Sequence, residues 1–245
     1  MDELRLLAQF EEALRDYHYS DAAKQILVKT KLVLLVGVTA SGRNTAIREL
    51  LKTNRYHFII SDTTRQPRKN NGVLEQNGVE YFFRTEEEML QEIKDGYFLE
   101  AEVIHGRQVS GISMRELKIA SDEHKIAITD VDIGGLQNVV NLKPDTVAVL
   151  MLPPNFDEWQ KRIKGRGDMV QEVYKSRLET AVRIFEIAKT IPGLHFVVND
   201  NVARCAKELD IIANGMPEDQ RTTQQARQLL DDLLAATKKT LADLP

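Results

Sequence analysis

Two glycines with four residues between them, Gly37 and Gly42, follow the apolar run 32–36 and precede a helix-like segment. This order of strand, loop and helix is typical of a phosphate-binding loop, whose pattern is Gly, four residues, Gly, Lys and then Ser or Thr. Backbone N–H groups of such a turn and of the following helix can hold phosphate oxygens whatever the side chains are. Taken alone, the spacing also fits a turn that uses glycine for its backbone freedom.

The loop departs from this pattern at its end. Arg43 stands where lysine belongs, and Asn44 stands where the hydroxyl belongs. Lysine is a compact point charge that reaches terminal phosphates, whereas arginine is a longer planar fork that binds bidentately. The sequence therefore predicts that phosphate binding survives here while the geometry for phosphoryl transfer is altered.

A second basic segment follows the apolar run 56–62. Arg65 and Arg68 lie on either side of Pro67, which fixes one backbone angle and restrains how they point. Ligands of open α/β sheets bind outside the carboxyl ends of the strands, so this turn is well placed for an anionic ligand. A solvated basic turn is the alternative.

Three further arginines lie late in the chain. Arg162 and Arg166 are one helical turn apart by spacing, and Arg177 lies in the next helical segment. Glycines on both sides of Arg166 predict a hinge. A hinged segment that brings arginines over a phosphate group is what lid closure in phosphoryl transfer requires. Ordinary surface charges are the alternative.

Two aspartates, Asp130 and Asp132, end the apolar run 125–130, and a pair of glycines opens the next helix. A carboxylate at the end of a buried strand beside a phosphate loop commonly serves a metal ion or its water shell. Capping of the following helix is the simpler alternative.

The elements that must position these residues alternate between strands and helices. Apolar runs predict strands at 32–36, 56–62, 79–83, 98–104, 108–112, 125–130, 146–152 and 195–198. Helical spacing predicts helices after the loop and at 86–94, 157–164, 171–189 and 202–213. The β-rich stretch interrupts the alternation. We therefore predict an α/β fold with a parallel sheet flanked by helices, a small β-rich insertion and an arginine-bearing helical lid.

Helical segments precede and follow this core. Apolar residues at helical spacing over 3–29 predict two helices with an interruption at 19–21, and the polar stretch from Pro217 predicts one long helix. The last helix carries a leucine stripe formed by Leu229, Leu230, Leu233, Leu234 and Leu241. This stripe predicts packing either on the N-terminal helices or on a second copy of the chain, as a homodimer through the terminal helices.

The composition narrows the class of protein. The 245 residues are 42% apolar and 29% charged, and the formal charge of -4 argues against nonspecific nucleic-acid binding. A single cysteine, Cys205, fits a reducing compartment. No apolar run approaches the roughly 20 residues that span a bilayer, and the acidic start lacks a signal-peptide n-region. The cytoplasm is the predicted location, with no membrane partner.

The assembled motifs resemble those of the guanylate kinase family from about Lys31 to Asn214. The motifs are SDTTRQPR at 61–68, GVEYFF at 78–83, FLE at 98–100, DVD at 130–132, the three late arginines after Pro153 and Pro154, and VVND at 197–200. The resemblance implies a helical extension at 1–30, a kinase-like domain at 31–214 and a C-terminal helix at 215–245. Within the domain it implies a core of 31–62, 125–152 and 191–214, a monophosphate-binding subdomain at about 63–113 and a lid at about 155–185.

The resemblance also implies a reaction, the Mg²⁺-dependent transfer of a phosphoryl group from ATP to GMP or dGMP. Residues implied to bind ATP are Gly37, Thr39, Ala40, Ser41, Gly42, Arg43, Asn44, Thr45 and Asn199. Residues implied to bind GMP are Ser61, Arg65, Arg68, Tyr81, Glu100 and Asp132, of which Ser61, Glu100 and Asp132 would select guanine. Arg43, Arg162, Arg166 and Arg177 would stabilise the transferring group. Asp130, through water, and Thr45 are the implied Mg²⁺ ligands.

The chain departs from the family pattern beyond Arg43. Ala40 replaces a loop glycine, and Gly134 replaces the glutamine after the Asp-x-Asp. The segment 108–111 replaces Tyr-Tyr-Gly, so a tyrosine expected at the GMP phosphate is missing and the alignment of 107–113 stays open. The leading hypothesis is a GMP kinase. The alternatives are a binding module impaired by Arg43 and a kinase for another small phosphorylated acceptor.

Overall fold

The structure is a computed structural model that describes residues 3–70, 72–165, 170–217 and 220–244. Its helices are α1 (Leu7–Arg15), α2 (Asp21–Lys29), α3 (Arg43–Leu51), α4 (Glu86–Lys94), α5 (Met114–Asp122), α6 (Ile133–Leu142), α7 (Phe156–Lys164), α8 (Gln171–Ala188), α9 (Val202–Ala213) and α10 (Gln220–Ala242). Its strands are β1 (Leu32–Val36), β2 (Tyr56–Phe58), β3 (Asp62–Thr63), β4 (Lys69–Asn70), β5 (Val73–Leu74), β6 (Phe82–Phe83), β7 (Phe98–Ile104), β8 (Gln108–Ser113), β9 (Ile126–Asp130), β10 (Val147–Leu152) and β11 (His195–Val198).

The chain divides into two compact units. Unit 1 consists of Met1–Lys31 with Tyr56–Ala127, and unit 2 consists of Leu32–Arg55 with Ile128–Pro245. The two N-terminal helices therefore belong to the same unit as the β-rich stretch.

A parallel sheet forms the centre of unit 2, with β11, β10, β1 and β9 as neighbours in that order. Val36 lies opposite Leu150 where β1 pairs with β10, and Leu152 lies opposite Val198 where β10 pairs with β11. Every residue of β1 is buried, as expected of a parallel strand whose two faces are covered. This sheet confirms the predicted α/β class.

The C-terminal helix α10 packs within unit 2, against α8 and β11. Its buried side chains include Leu230 and Leu233, which belong to the predicted stripe. Ion pairs of Lys189 with Asp231 and of Lys238 with Glu186 also join α8 and its end to α10. The sequence analysis did not predict this packing on α8 and β11. Packing on the N-terminal helices and the homodimer both stay predictions.

Unit 1 is built on a four-stranded sheet with the order β6, β3, β8 and β7. Helix α1 packs on α4 and β7, and α2 packs on α5. Phe10 of α1 is fully buried in a cluster with Met89, Ile93 and Phe98. The N-terminal helices thus complete the core of this unit.

Two predicted strands differ from the structure, and one observed helix was not predicted. The run 56–62 forms β2 and then β3, because the fully buried Asp62 pairs with Arg84 and Arg115 and its segment joins the sheet of unit 1. The predicted strand 79–83 is reduced to β6, because a turn occupies its first residues. Helix α5, which the sequence analysis did not predict, follows β8 with Ser113 as its N-cap.

The cysteine of the chain, Cys205, lies in α9 and is fully buried. Burial raises the pKa of its thiol to about 12. Helix α9 packs on α3 within unit 2. None of the helices in the described ranges combines the length and the apolar composition that a membrane span requires.

Phe10→Ala is expected to lower the free energy of unfolding by about 3 to 5 kcal/mol, because it opens a cavity in the core shared by α1 and α4. Thermal or urea denaturation measures the change. Val28→Ala is the matched control, since Val28 of α2 is 82% exposed. Equal stability of the two variants would show that α1 is only loosely attached.

Candidate active site

The loop between β1 and α3 leaves no space for a side chain at either glycine. A Cβ added at Gly37 would lie 2.7 Å from the carbonyl oxygen of Met151 and 2.7 Å from Ser41 Oγ. Gly42 has a φ of 95°, and a Cβ there would collide with the side-chain amide of Asn199. Both glycines are therefore required by close approach of the backbone to its surroundings.

Ala40 adopts the left-handed conformation that its position in the loop requires. Its φ is 65°, although it is not glycine. A non-glycine residue in this region costs about 1 to 2 kcal/mol. The loop keeps its shape in spite of this substitution, because neighbouring side chains hold the backbone.

Two side chains hold the loop through its carbonyl groups. Asn199 Nδ2 donates to Ser41 O at 2.9 Å, and Trp159 Nε1 donates to Thr39 O at 2.8 Å. Asn199 is 4% exposed and Trp159 is fully buried. The sequence analysis predicted Asn199 and missed Trp159, because an indole donor to a backbone carbonyl leaves no spacing pattern.

Arg43 is the first residue of α3 and turns toward the end of β9. Its Nη1 lies 3.4 Å from Asp130 Oδ2 and donates to Val131 O at 3.3 Å. The two charged side chains are 22% and 28% exposed, so the guanidinium is fixed beside the loop and still meets solvent.

The predicted lid arginines are placed differently from one another. Arg162 of α7 pairs with Glu158 at 3.1 Å, and its Nη1 donates to Asn199 O at 3.0 Å. Arg177 lies on α8, and its buried Nη1 has no hydrogen-bond partner among the described residues. Arg166 lies outside the described residues.

The predicted acceptor arginine Arg65, in unit 1, is bound by a carboxylate of the same unit. Its Nη1 and Nη2 donate to the two carboxylate oxygens of Glu75 at 2.6 and 3.0 Å, and both side chains are 6% exposed. The Glu75 carboxylate raises the pKa of Arg65. The guanidinium also lies over the ring of Tyr81, 4.6 Å from its centre. The sequence analysis missed Glu75.

The Glu75 carboxylate also binds the backbone of Arg68. Arg68 N donates to Glu75 Oε2 at 2.8 Å, while its Nη2 donates to Gln108 Oε1 at 3.4 Å. One buried acid thus binds the side chain of Arg65 and the backbone of Arg68, and the side chain of Arg68 reaches Gln108, in the segment 108–111 that replaces Tyr-Tyr-Gly.

The three predicted guanine-selecting residues occupy different settings. Glu100 lies on β7, and Ser61 precedes β3, where its carbonyl accepts from Phe82 N at 2.9 Å. Asp132, in unit 2, is the N-cap of α6, and its Oδ1 accepts from Gly134 N and Gly135 N at 2.7 and 2.8 Å. The capping alternative therefore holds for Asp132, and its role toward guanine stays a prediction.

The described residues contain no group of three or more His, Cys, Asp or Glu side chains that could hold a metal ion. Mg²⁺ in nucleotide sites takes one or two carboxylates and several phosphate oxygens, so such a group is not required. Asp130, beside the loop, and the exposed Thr45 fit an ion that arrives with a nucleotide. The buried Ser41 Oγ, which has no partner among the described residues, also leaves a polar group inside the loop.

Comparison with known proteins identifies the family of this chain. The sequence model of guanylate kinase matches residues 29–215. The chain belongs to the guanylate kinase family. It is 34% identical over 187 residues to guanylate kinase of Corynebacterium diphtheriae, an alignment that covers 76% of this chain and 95% of that relative.

Other relatives of the guanylate kinase family are longer. Guanylate kinase 1 of rice is 32% identical over 183 residues, which are 73% of this chain and 46% of the relative. The chain therefore spans about half the length of that protein. The crystal structure of guanylate kinase from Anaplasma phagocytophilum superposes with a TM-score of 0.56 at 20% identity, and covers 82% of this chain and 94% of that one. This likeness supports the fold.

Gly42→Ala is expected to lower the free energy of unfolding more than Gly215→Ala does, as measured by urea denaturation. Both glycines have positive φ, at 95° and 65°, but among the described residues an added Cβ has no neighbour within 4 Å at Gly215. Gly215→Ala should cost about 1 kcal/mol, and Gly42→Ala should cost about 1 to 3 kcal/mol more because it displaces the buried Asn199 amide. Equal losses would contradict the close packing of the loop.

Proposed function

We propose that this chain is a GMP kinase, which transfers the terminal phosphoryl group of ATP to GMP or dGMP in the presence of Mg²⁺. An oxygen of the acceptor phosphate bonds to the γ-phosphorus of ATP while the bond from that phosphorus to the β,γ-bridging oxygen breaks. ADP leaves with the electron pair, and GDP or dGDP is formed. The reaction needs positioning and charge stabilisation rather than a protein nucleophile.

The observation that carries this proposal is the double role of Asn199. Its amide holds the loop at Ser41 O, and its carbonyl oxygen accepts from Arg162 at 3.0 Å. One buried residue therefore fixes both the backbone that we expect to bind phosphate and an arginine of the predicted lid. A glycine turn without chemical importance would not require an arginine at this place.

The loop of unit 2 would hold the ATP phosphates. The backbone from Gly37 to Thr45 offers N–H groups and the N-terminus of α3, and Arg43 adds a charge beside them. Asp130 and Thr45 would hold Mg²⁺ with the phosphates, and the bound ion would neutralise charge on the β- and γ-phosphates. Arg162, Arg166 and Arg177 would stabilise the transferring group.

Residues of unit 1 would hold the acceptor. Arg65, Arg68 and Tyr81 would bind the GMP phosphate, with the guanidinium of Arg65 held by Glu75 and placed over the ring of Tyr81. Ser61, Glu100 and Asp132 would select guanine, because carboxylates accept from its N–H groups and repel the lone pair of adenine. The cytoplasm remains the predicted location, and neither a nucleic acid nor a membrane is proposed as a partner.

A second candidate function is a nucleotide-binding module without turnover. The observation that favours it is the contact of Arg43 with Asp130 and Val131, which draws the guanidinium toward β9. Binding of GMP without ADP formation would support this function.

Arg43→Ala is expected to lower kcat with GMP by about 10²-fold or more, because it removes a cation from the site of transfer. Arg43→Lys is expected to keep turnover within about tenfold of the wild type, a barrier change of about 1.4 kcal/mol. An assay of ADP release with GMP, dGMP, AMP and UMP measures both. Lys52→Ala, at an exposed position just after α3, is the control.

The wild-type chain is expected to turn over GMP and dGMP, and to leave AMP and UMP nearly unused. Absence of turnover with all four acceptors would contradict the proposed kinase activity. A large gain of activity in Arg43→Lys would show instead that the natural loop is impaired.

Mg²⁺–ATP and GMP are expected to protect the chain against thermal unfolding separately, since each ligand stabilises the folded state by its own binding. At 100 times Kd, each should add about 2.7 kcal/mol. Asp130→Asn should weaken the protection by Mg²⁺–ATP and leave that by GMP unchanged. AMP is the control ligand for the acceptor site. Equal protection by AMP and GMP would contradict the proposed selectivity for guanine.

A further inference from the structure

Strand β7, which carries Glu100, lies at the edge of its sheet. Edge strands present backbone groups that have no strand partner on the outer side. Here two tyrosines from the link between α1 and α2 meet that side. Tyr17 Oη donates to Phe98 O at 2.5 Å and accepts from Phe98 N at 2.7 Å, and Tyr19 Oη donates to Leu99 O at 2.7 Å. The N-terminal segment thus takes the place of a neighbouring strand.

The two tyrosines act at an irregularity of β7. Phe98 lies opposite Ser113 and Glu100 lies opposite Ile112, so the pairing shifts by one residue just before Glu100. A bulge of this kind bends the strand and changes the direction of the next side chain. The tyrosines bind the carbonyl groups of Phe98 and Leu99, and the register shift occurs between Phe98 and Glu100.

The opposite strand makes room for the same irregularity. A Cβ at Gly111 of β8 would lie 2.5 Å from Glu100 O and 2.9 Å from Ala101 Cβ. The bulge is therefore held from both sides, by hydroxyl groups on the outer edge and by a glycine on the inner one. The backbone of Glu100 has little freedom to move.

The segment that carries the tyrosines is itself fixed to unit 1. Ser20 N donates to Gly96 O at 3.1 Å, and Leu4 N donates to Gly106 O at 2.9 Å. A Cβ at Gly96 would lie 2.5 Å from Ser20 N, so the segment and the start of β7 approach closely. The tyrosine hydroxyls are thus placed by a rigid support.

Both hydroxyls remain protonated donors. Burial raises the pKa of Tyr17 to about 12. Burial also raises the pKa of Tyr19, and the negative charge of Glu100 adds to the shift. The geometric link between Tyr19 and Glu100 is the carbonyl of Leu99, which accepts from Tyr19 and belongs to the residue just before Glu100.

We infer that Tyr19, supported by Tyr17, is a positioning residue for Glu100, so that the N-terminal segment helps to set guanine selection. The inference rests on the proposed function, because it takes Glu100 as the residue that accepts from the guanine N–H groups. A segment outside the kinase-like part of the sequence thereby becomes part of the acceptor site.

The test is a double-mutant cycle on the Kd of GMP, measured by calorimetry with Tyr19→Phe, Glu100→Gln and both together. Tyr19→Phe should weaken GMP binding about three- to tenfold, the size expected for one hydrogen bond. In the Glu100→Gln background the same change should have an effect within about twofold, because residues that act through each other are not additive. The affinity for Mg²⁺–ATP should stay unchanged in every variant.

Tyr97→Phe is the matched control. It removes a hydroxyl just before β7 and keeps the hydrogen bonds of Tyr17 and Tyr19, so the Kd of GMP should stay near that of the wild type. If Tyr19→Phe does not fold, Tyr17→Phe carries the same cycle, since it removes the donor to the neighbouring carbonyl.

Several outcomes overturn the inference. An unchanged Kd of GMP in Tyr19→Phe, an equal loss in the Glu100→Gln background, or an equal loss of Mg²⁺–ATP affinity would each show a purely structural contact, as would failure of both tyrosine variants to fold. If the wild-type chain binds GMP but forms no ADP, the proposed kinase activity is wrong. The double-mutant cycle on the Kd of GMP then still tests the role of Tyr19. Wild-type chain that binds no GMP would overturn both.

Discussion

The close approach of the loop backbone to its neighbours is the constraint on which unit 2 depends. Gly37 lies against the carbonyl of Met151 on β10, and Gly42 lies against Asn199, which follows β11. The pairing of β1 with β10 and of β10 with β11 sets these distances. One packing arrangement therefore sets the strand register, the burial of Asn199 and the shape of the loop. It also positions Arg43, which follows Gly42, and Arg162, which donates to Asn199 O.

Much of the fold could be predicted because its elements carry local signals. The helix at 86–94 is predicted with the observed bounds, and Thr85 and Glu88 form a capping box at its start. The strand at 195–198 is also predicted as observed, because parallel strands buried on both faces appear as apolar runs. The break in 56–62 could not be predicted. Asp62 is buried by arginines that follow it by many residues, and periodicity does not detect such partners.

The candidate site could be predicted in its residue types more than in its contacts. The glycines of the loop and the late arginines were found from spacing and resemblance. Which carboxylate meets which guanidinium depends on how distant segments pack, so the pairs of Glu75 with Arg65 and of Asp130 with Arg43 could not be read from the sequence. Tyr17 has the helical spacing of the first predicted helix and Tyr19 falls at the predicted interruption, and neither position signals a contact with β7. In the structure both tyrosines lie between α1 and α2.

The position of Cys205 has a practical consequence. Its thiol is enclosed in α9, which packs on the helix that begins with Arg43, and its raised pKa keeps it in the unreactive protonated form. A thiol reagent can modify it only after these helices separate. The rate of labelling would therefore report how often this part of unit 2 opens, in the native chain and without an added probe. A ligand that binds the folded chain and holds these helices together would slow the labelling.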